Sequence, residues 1–243
     1  MRKKIFLAIV VFNIIVWTVI SITSSNKTTK SKSTKIQLHQ ESAKTFKTII
    51  GGEVIFLPSP SGWYEVSSEN PDISSKFEEN TVEIARFIAS FLLLESKNNP
   101  DFLKNVVIST QKAIQNKTVY KSDFLWYKSE LESQMKSIVD EYKTDFGKGD
   151  LKFEKEPNFK INNITPMGIF LNKDNAIAMA TITRFESAEV GGLYAEMIIG
   201  AATVLVKGKM LNIQVSAPYK TEADAVWVEY QTNKFVDSIL KAN

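Results

Sequence analysis

The chain has 243 residues, 44% apolar and 23% charged, and no cysteine. That composition is globular and its length suits one domain behind an N-terminal segment, while the absence of thiols excludes disulfides, thiolate metal sites and cysteine nucleophiles. The net charge of +3 is uneven: residues 1–47 hold nine basic side chains against Glu41 alone (+8), and the remainder holds 21 basic against 26 acidic (−5), so the folded part offers no basic nucleic-acid surface.

Arg2-Lys3-Lys4 leads into an 18-residue run, Ile5 to Ile22, with no charge and Asn13 as its one strongly polar side chain. About 20 apolar residues span a bilayer core, and a cleaved signal usually has a shorter core of about 7–15 residues. Residues 1–23 are therefore expected to be a transmembrane signal-anchor. Removal after Thr23-Ser24-Ser25 is the alternative, and it would leave a secreted or periplasmic product. The basic tip argues for an N-terminus in the cytoplasm and a domain outside it. Lys27, Lys30, Lys32 and Lys35, just behind the run, pull the other way. Residues 24–47 are rich in Ser, Thr and Lys and read as a flexible tether.

The globular domain is expected over residues 48–243. Gly51-Gly52 breaks the chain, Glu53–Leu57 reads as a strand, and Pro58 to Gly62 is a turn cluster before Trp63-Tyr64. Ile84, Phe87, Ile88, Phe91, Leu92 and Glu95 follow a helical rhythm, so a helix is expected over Glu79–Ser96. Leu103–Thr110 reads as a strand. A second helix is expected from Ser122 as N-cap, with Phe124, Tyr127, Leu131, Met135, Ile138 and Tyr142 as one apolar stripe. Gly147 and Gly149 close it.

Strands are expected at Leu151–Glu156 and Met167–Leu171, and at Ala176–Glu186 across an Asn172–Asn175 hairpin turn. Further strands follow at Met197–Val206 and, after Lys207-Gly208-Lys209, at Leu211–Ser216. Leu193–Val206 spans only 14 residues and contains Glu196, so it reads as a buried strand and not a second membrane span. Thr221, with Asp224 in capping-box position, opens a last helix that buries Val228, Phe235, Val236, Ile239 and Leu240. Strands joined by hairpins and packed by three helices make an α+β fold, a largely antiparallel sheet in an α/β/α sandwich.

Candidate chemistry is sparse. His39 is the only histidine and lies in the tether, so the domain cannot run Ser-His-Asp catalysis or form the usual zinc sites. Ser133-Gln-Met-Lys136 matches S-x-x-K, without the companion motifs that give that spacing meaning. Glu186, Glu189 and Glu196 flank Gly191-Gly192, and Glu154 and Glu156 alternate on one strand; solvated charge is the simpler account of both groups. No catalytic, cofactor-binding or metal residue is assigned, and no cofactor is expected. Trp63 and Tyr64, beside the Pro-rich turn, are the candidate contact surface, with core packing as the commoner fate of such residues.

Pro60-Ser61-Gly62-Trp63 after the opening strand resembles the PsbP/Mog1-like family of α/β/α sandwich domains. So does the closing order: Val204-Leu205-Val206, Gly208, Met210–Ser216, Ala217-Pro218, then a helix ending in Phe235–Ile239. The resemblance runs from about Gly51 to Asn243. The helix at Ser122–Thr144 and the loop at Gly191-Gly192 have no counterpart in it. It implies a non-catalytic accessory or binding protein, with bacterial relatives often exported and membrane-anchored.

The expectation is therefore a membrane-anchored, non-enzymatic binding or accessory domain of the bacterial envelope, working outside the cytoplasm. Its partners would be the membrane, through the N-terminal helix, and an envelope protein, with no nucleic acid. A carrier of an apolar or lipid-like ligand would instead need a large pocket lined by Phe87, Phe91 and Leu131. A hydrolase would need Ser133 and Lys136, or a carboxylate pair, in one cleft.

Overall fold

Along the late strands, neighbouring side chains point into two different cores. In Leu193–Val206, Ile198, Ala202, Val204 and Val206 belong to one core and Met197, Ile199 and Leu205 to the other. A strand that is apolar on both faces must be covered on both, and a helix covers each.

The structure is a computed structural model and describes residues 45–68, 75, 84–96, 103–142, 151–153, 156–187 and 193–243, with the side chains of 136–142, 151–163, 185–187 and 193–195 outside that description. Ten strands and two long helices follow in chain order: β1 (Thr45–Ile50), β2 (Glu53–Pro58), β3 (Trp63–Glu65), β4 (Ala85–Leu93), β5 (Asn105–Gln111), α1 (Lys121–Tyr142), β6 (Leu151–Phe153), β7 (Glu156–Lys173), β8 (Ala176–Ser187), β9 (Leu193–Val206), β10 (Lys209–Pro218) and α2 (Glu222–Ala242). An eight-stranded sheet runs β3-β4-β5-β10-β9-β8-β7-β6, antiparallel throughout; β1 and β2 form a separate hairpin.

The two faces differ in content. One buries Val228, Phe235, Val236 and Ile239 of α2 against Val204, Ile213 and Val215, and the hairpin adds Ile50, Ile55 and Leu57 to the same core. The other buries Phe124, Tyr127, Leu131 and Met135 of α1 against Ile177, Met179, Met197 and Ile199. The α1 stripe thus falls where its spacing placed it, as far as Met135; the side chains of Ile138 and Tyr142 lie outside the described residues. Gly200 lets α2 approach the sheet. A Cβ there would stand 2.5 Å from Thr232 Oγ1 and 2.8 Å from Val228 Cγ1.

Three expectations are corrected. The helix expected through Ser96 is strand β4 over Ala85–Leu93, followed by a single 3-10 turn at Leu94–Ser96. A β-bulge between Phe87 and Ala89 shifts its alternation, so apolar residues fall on both faces and imitate a helical period. The part of that helix expected over Glu79–Glu83 lies outside the described residues, among which the long helices number two. The second helix begins at Lys121, so Ser122 is inside it; Asp123 Oδ2 instead accepts the Tyr120 N–H at 3.3 Å. The third correction is an addition, because β1 starts at Thr45 and takes up the last three residues read as tether.

Thr221 does cap α2. Asp224 Oδ2 accepts the backbone N–H groups of Lys220 and Thr221, each at 2.9 Å. Among the described residues no helix is long and apolar enough to cross a membrane. The candidate anchor, residues 5–22, lies outside them.

Candidate binding surface

Trp63 faces the core and not the solvent. It is 5% exposed, its ring lies 5.4 Å from that of Phe235 and 6.0 Å from that of Trp227, and its Nε1 donates to Gln231 Oε1 at 2.9 Å. Its place on β3, paired with Leu93 of β4, aims it at α2. Tyr64, the next residue on the strand, points to the opposite face and is half-buried. The pair therefore forms no common contact surface. Among the described residues Trp126, on the outer side of α1, is the tryptophan that stays in solvent, at 63% exposure.

The other candidates also fall apart in space. Phe91 packs on Phe235 in the α2 core, while Leu131 belongs to the α1 core, so Phe87, Phe91 and Leu131 line no common pocket. Ser133 is exposed on α1, and the side chain of Lys136 lies outside the described residues. Glu196 is held by its cross-strand neighbour Arg184, whose Nε and Nη2 donate to Oε1 at 2.9 and 2.6 Å. His39, Glu154, Glu189, Gly191 and Gly192 lie outside the described residues, as do the side chains of Glu156 and Glu186. Among the described residues no three acidic or imidazole groups come together as metal ligands would.

A cavity of about 50 Å³ sits between α1 and the middle of the sheet, with room for a few waters and not for an acyl chain. Its polar lining comes from Ser109, Gln111, Tyr127, Thr203, Asn212 and Gln214, and no side chain of the lining is charged. Tyr127 Oη and Thr203 Oγ1 are 3.1 Å apart, and Thr203 in turn donates to Asn212 Oδ1 at 3.3 Å. That polarity runs the chain from Tyr127 to Asn212. Burial pushes the Tyr127 phenol above its ordinary pKa, and the Thr203 hydrogen bond only partly offsets this. The phenol therefore stays protonated, and the cavity holds no group able to exchange protons near neutrality.

The surface that stands out was not singled out in the sequence. The β1–β2 hairpin buries Ile50, Ile55 and Leu57 and turns its other face outward, where Ile49 is 61%, Val54 40% and Phe56 37% exposed. Ile49 stands directly opposite Val54, and Lys47 opposite Phe56. The Lys207 ammonium lies 5.3 Å from the centre of the Phe56 ring, a cation–π contact. A contiguous apolar face rimmed by lysines is the usual look of a contact site. The legible signal was Gly51-Gly52. With φ of +53° and +86°, these glycines make the two-residue turn that favours a tight hairpin. A Cβ on Gly51 would also stand 2.2 Å from Gln115 O, which locks the turn against the β5–α1 loop.

No protein-family model matches the sequence, and no curated protein matches it. Among solved structures the fold is similar to a point mutant of the protein Mog1, with a TM-score of 0.36 and 9% identity over 82% of this chain and 94% of that one. It is also similar to the Saccharomyces cerevisiae Ran-binding protein Mog1p, with a TM-score of 0.29 and 10% identity over 83% of this chain and 89% of that one. Both are Mog1 structures, and the likeness is a weak one of fold alone.

Proposed function

We propose that this chain is a membrane-tethered binding or accessory protein of the bacterial envelope, whose α+β domain works outside the cytoplasm, engages a protein partner and carries out no reaction of its own. The observation that carries the reading is the position of the exposed Ile49, Val54 and Phe56 face, on a hairpin whose first strand begins where the tether ends. The uncharged run from Ile5 to Ile22 supplies the anchor. A tether of about twenty residues then holds the patch near the bilayer and raises its effective concentration against a neighbouring envelope protein.

The test is protease accessibility of the full-length chain in cells stripped of their outer layer, with intact mass read by spectrometry. Digestion of the domain, together with an untreated mass that retains Met1, is the expected result. Protection until the membrane is lysed would put the domain in the cytoplasm and overturn the reading. A mass beginning near Ser24 would replace the anchored form with a released one.

A further inference from the structure

Among the described residues, one edge of the hairpin is capped and the other is left open. A two-residue turn makes Ile50 and Glu53 a hydrogen-bonded pair, so Lys47 and Ile49 on β1, and Val54 and Phe56 on β2, direct their main-chain groups away from the partner strand. On β2 these groups are capped by side chains. Asn243 Oδ1 accepts the Phe56 N–H at 2.9 Å, Asn243 Nδ2 donates to Phe56 O at 2.8 Å, and Lys207 Nζ donates to Val54 O at 3.0 Å. The terminal amide of α2 thus stands where a third strand would lie. On β1, among the described residues, only an Arg86 guanidinium at 3.4 Å from Ile49 O approaches the outward groups, and Lys47 N–H and C=O have no partner.

We propose that β1 accepts an extended segment of a protein partner as an added strand, and that this segment places a carboxylate opposite Lys47 between apolar residues. The proposal rests on the protein-binding reading above and adds the chemistry of the partner. Main-chain bonds along the open edge supply affinity, and the alternating side chains supply choice. Self-pairing is disfavoured. Lys47 lies near the middle of the six-residue strand, so a two-fold pair centred on it would bring it against its own copy, and a lysine on an edge strand is a known device against such association. The edge carries Lys47 and has Arg86 beside it, with Glu53 the one acidic side chain on the hairpin. In a segment alternating acidic and aliphatic residues the carboxylates fall on the Lys47 face, and the aliphatic side chains fall on the opposite face, beside Phe46 and Thr48.

The probe is a fluorescent eight-residue peptide alternating valine and glutamate, titrated by anisotropy against the full-length chain in detergent. Two control peptides carry lysine for glutamate, or N-methyl groups on alternate amides. Lys47→Pro removes the outward N–H, which the β1–β2 ladder does not use. Lys47→Glu reverses the charge and leaves the backbone intact, so it serves if the proline variant melts early. The acidic peptide should bind, N-methylation and Lys47→Pro should each weaken it at least tenfold, and Lys47→Glu should switch preference to the lysine peptide.

Equal binding of the methylated peptide, or no binding by any peptide, overturns strand addition. A dimer of the unliganded chain that Lys47→Pro dissolves overturns it in favour of a second copy. In either case a photocrosslinker at Phe56 that captures the same envelope protein in wild type and Lys47→Pro leaves the broader binding function standing.

Discussion

The indole of Trp63 is fixed by ring contacts to Phe235 and Trp227 and by its hydrogen bond to the buried amide of Gln231. Trp63→Phe keeps much of the packing and strands Gln231 Oε1 without its donor. The expected loss is about 1–3 kcal/mol, with part recovered in the Trp63→Phe/Gln231→Leu double variant, both read from urea midpoints. Asp224 makes a pH-dependent contribution of known sign. Backbone N–H donors from Lys220 and Thr221 hold its carboxyl below the ordinary aspartate range. A folded pKa below the unfolded one means that this stabilisation is complete above the unfolded value of about 3.9 and fades as pH falls through the folded one. Asp224→Asn should therefore cost about 0.3–1 kcal/mol at neutral pH, as loss of an exposed charge at a helix N-terminus does, and the gap to wild type should close in acid urea titrations.

Gly200 decides how closely α2 approaches β9. Gly200→Ala drives a methyl into Thr232 and Val228, and overpacking of this kind costs about 1–3 kcal/mol. The Gly200→Ala/Thr232→Ala double variant should lose less than the sum of the single losses, and thermal melts would show the coupling. Elements with a clean period were legible in the sequence. The α1 stripe has one helical phase, β10 alternates, and Thr221 with Asp224 announces the start of α2. β4 was not legible, because its bulge converts an alternation into spacings of three and four that a helix would also give. β1 was missed for a different reason. Its outward face carries Lys47 and its inward face Thr48, so a lysine- and threonine-rich composition concealed a strand that needs only Phe46 and Ile50 to hold it to the core. Trp63 was left between core and contact surface because a Trp-Tyr pair beside a turn says nothing about which of two alternating residues faces the core.

At the scale of the whole molecule, the sheet separates two cores, and the hairpin extends one of them to the surface. Ile49→Ser with Val54→Ser should leave the urea midpoint within about 0.5 kcal/mol of wild type, since both positions are exposed, yet abolish crosslinking to the partner. The strand order has a consequence in time. β5 pairs with β4 on one side and with β10 on the other, and β10 is synthesised roughly a hundred residues after β5. At about 5–20 residues per second, the ribosome needs on the order of 5–20 s to deliver that neighbour. Through that interval the Val106-Val107-Ile108 edge stands unpaired on a half-built sheet, and β9, which contributes residues to both cores, does not yet exist. The nascent chain therefore passes through a stage at which sticky backbone is displayed without a core to retract it. Holding the first half unfolded until β10 emerges, as an export chaperone does, would be the safer order of assembly.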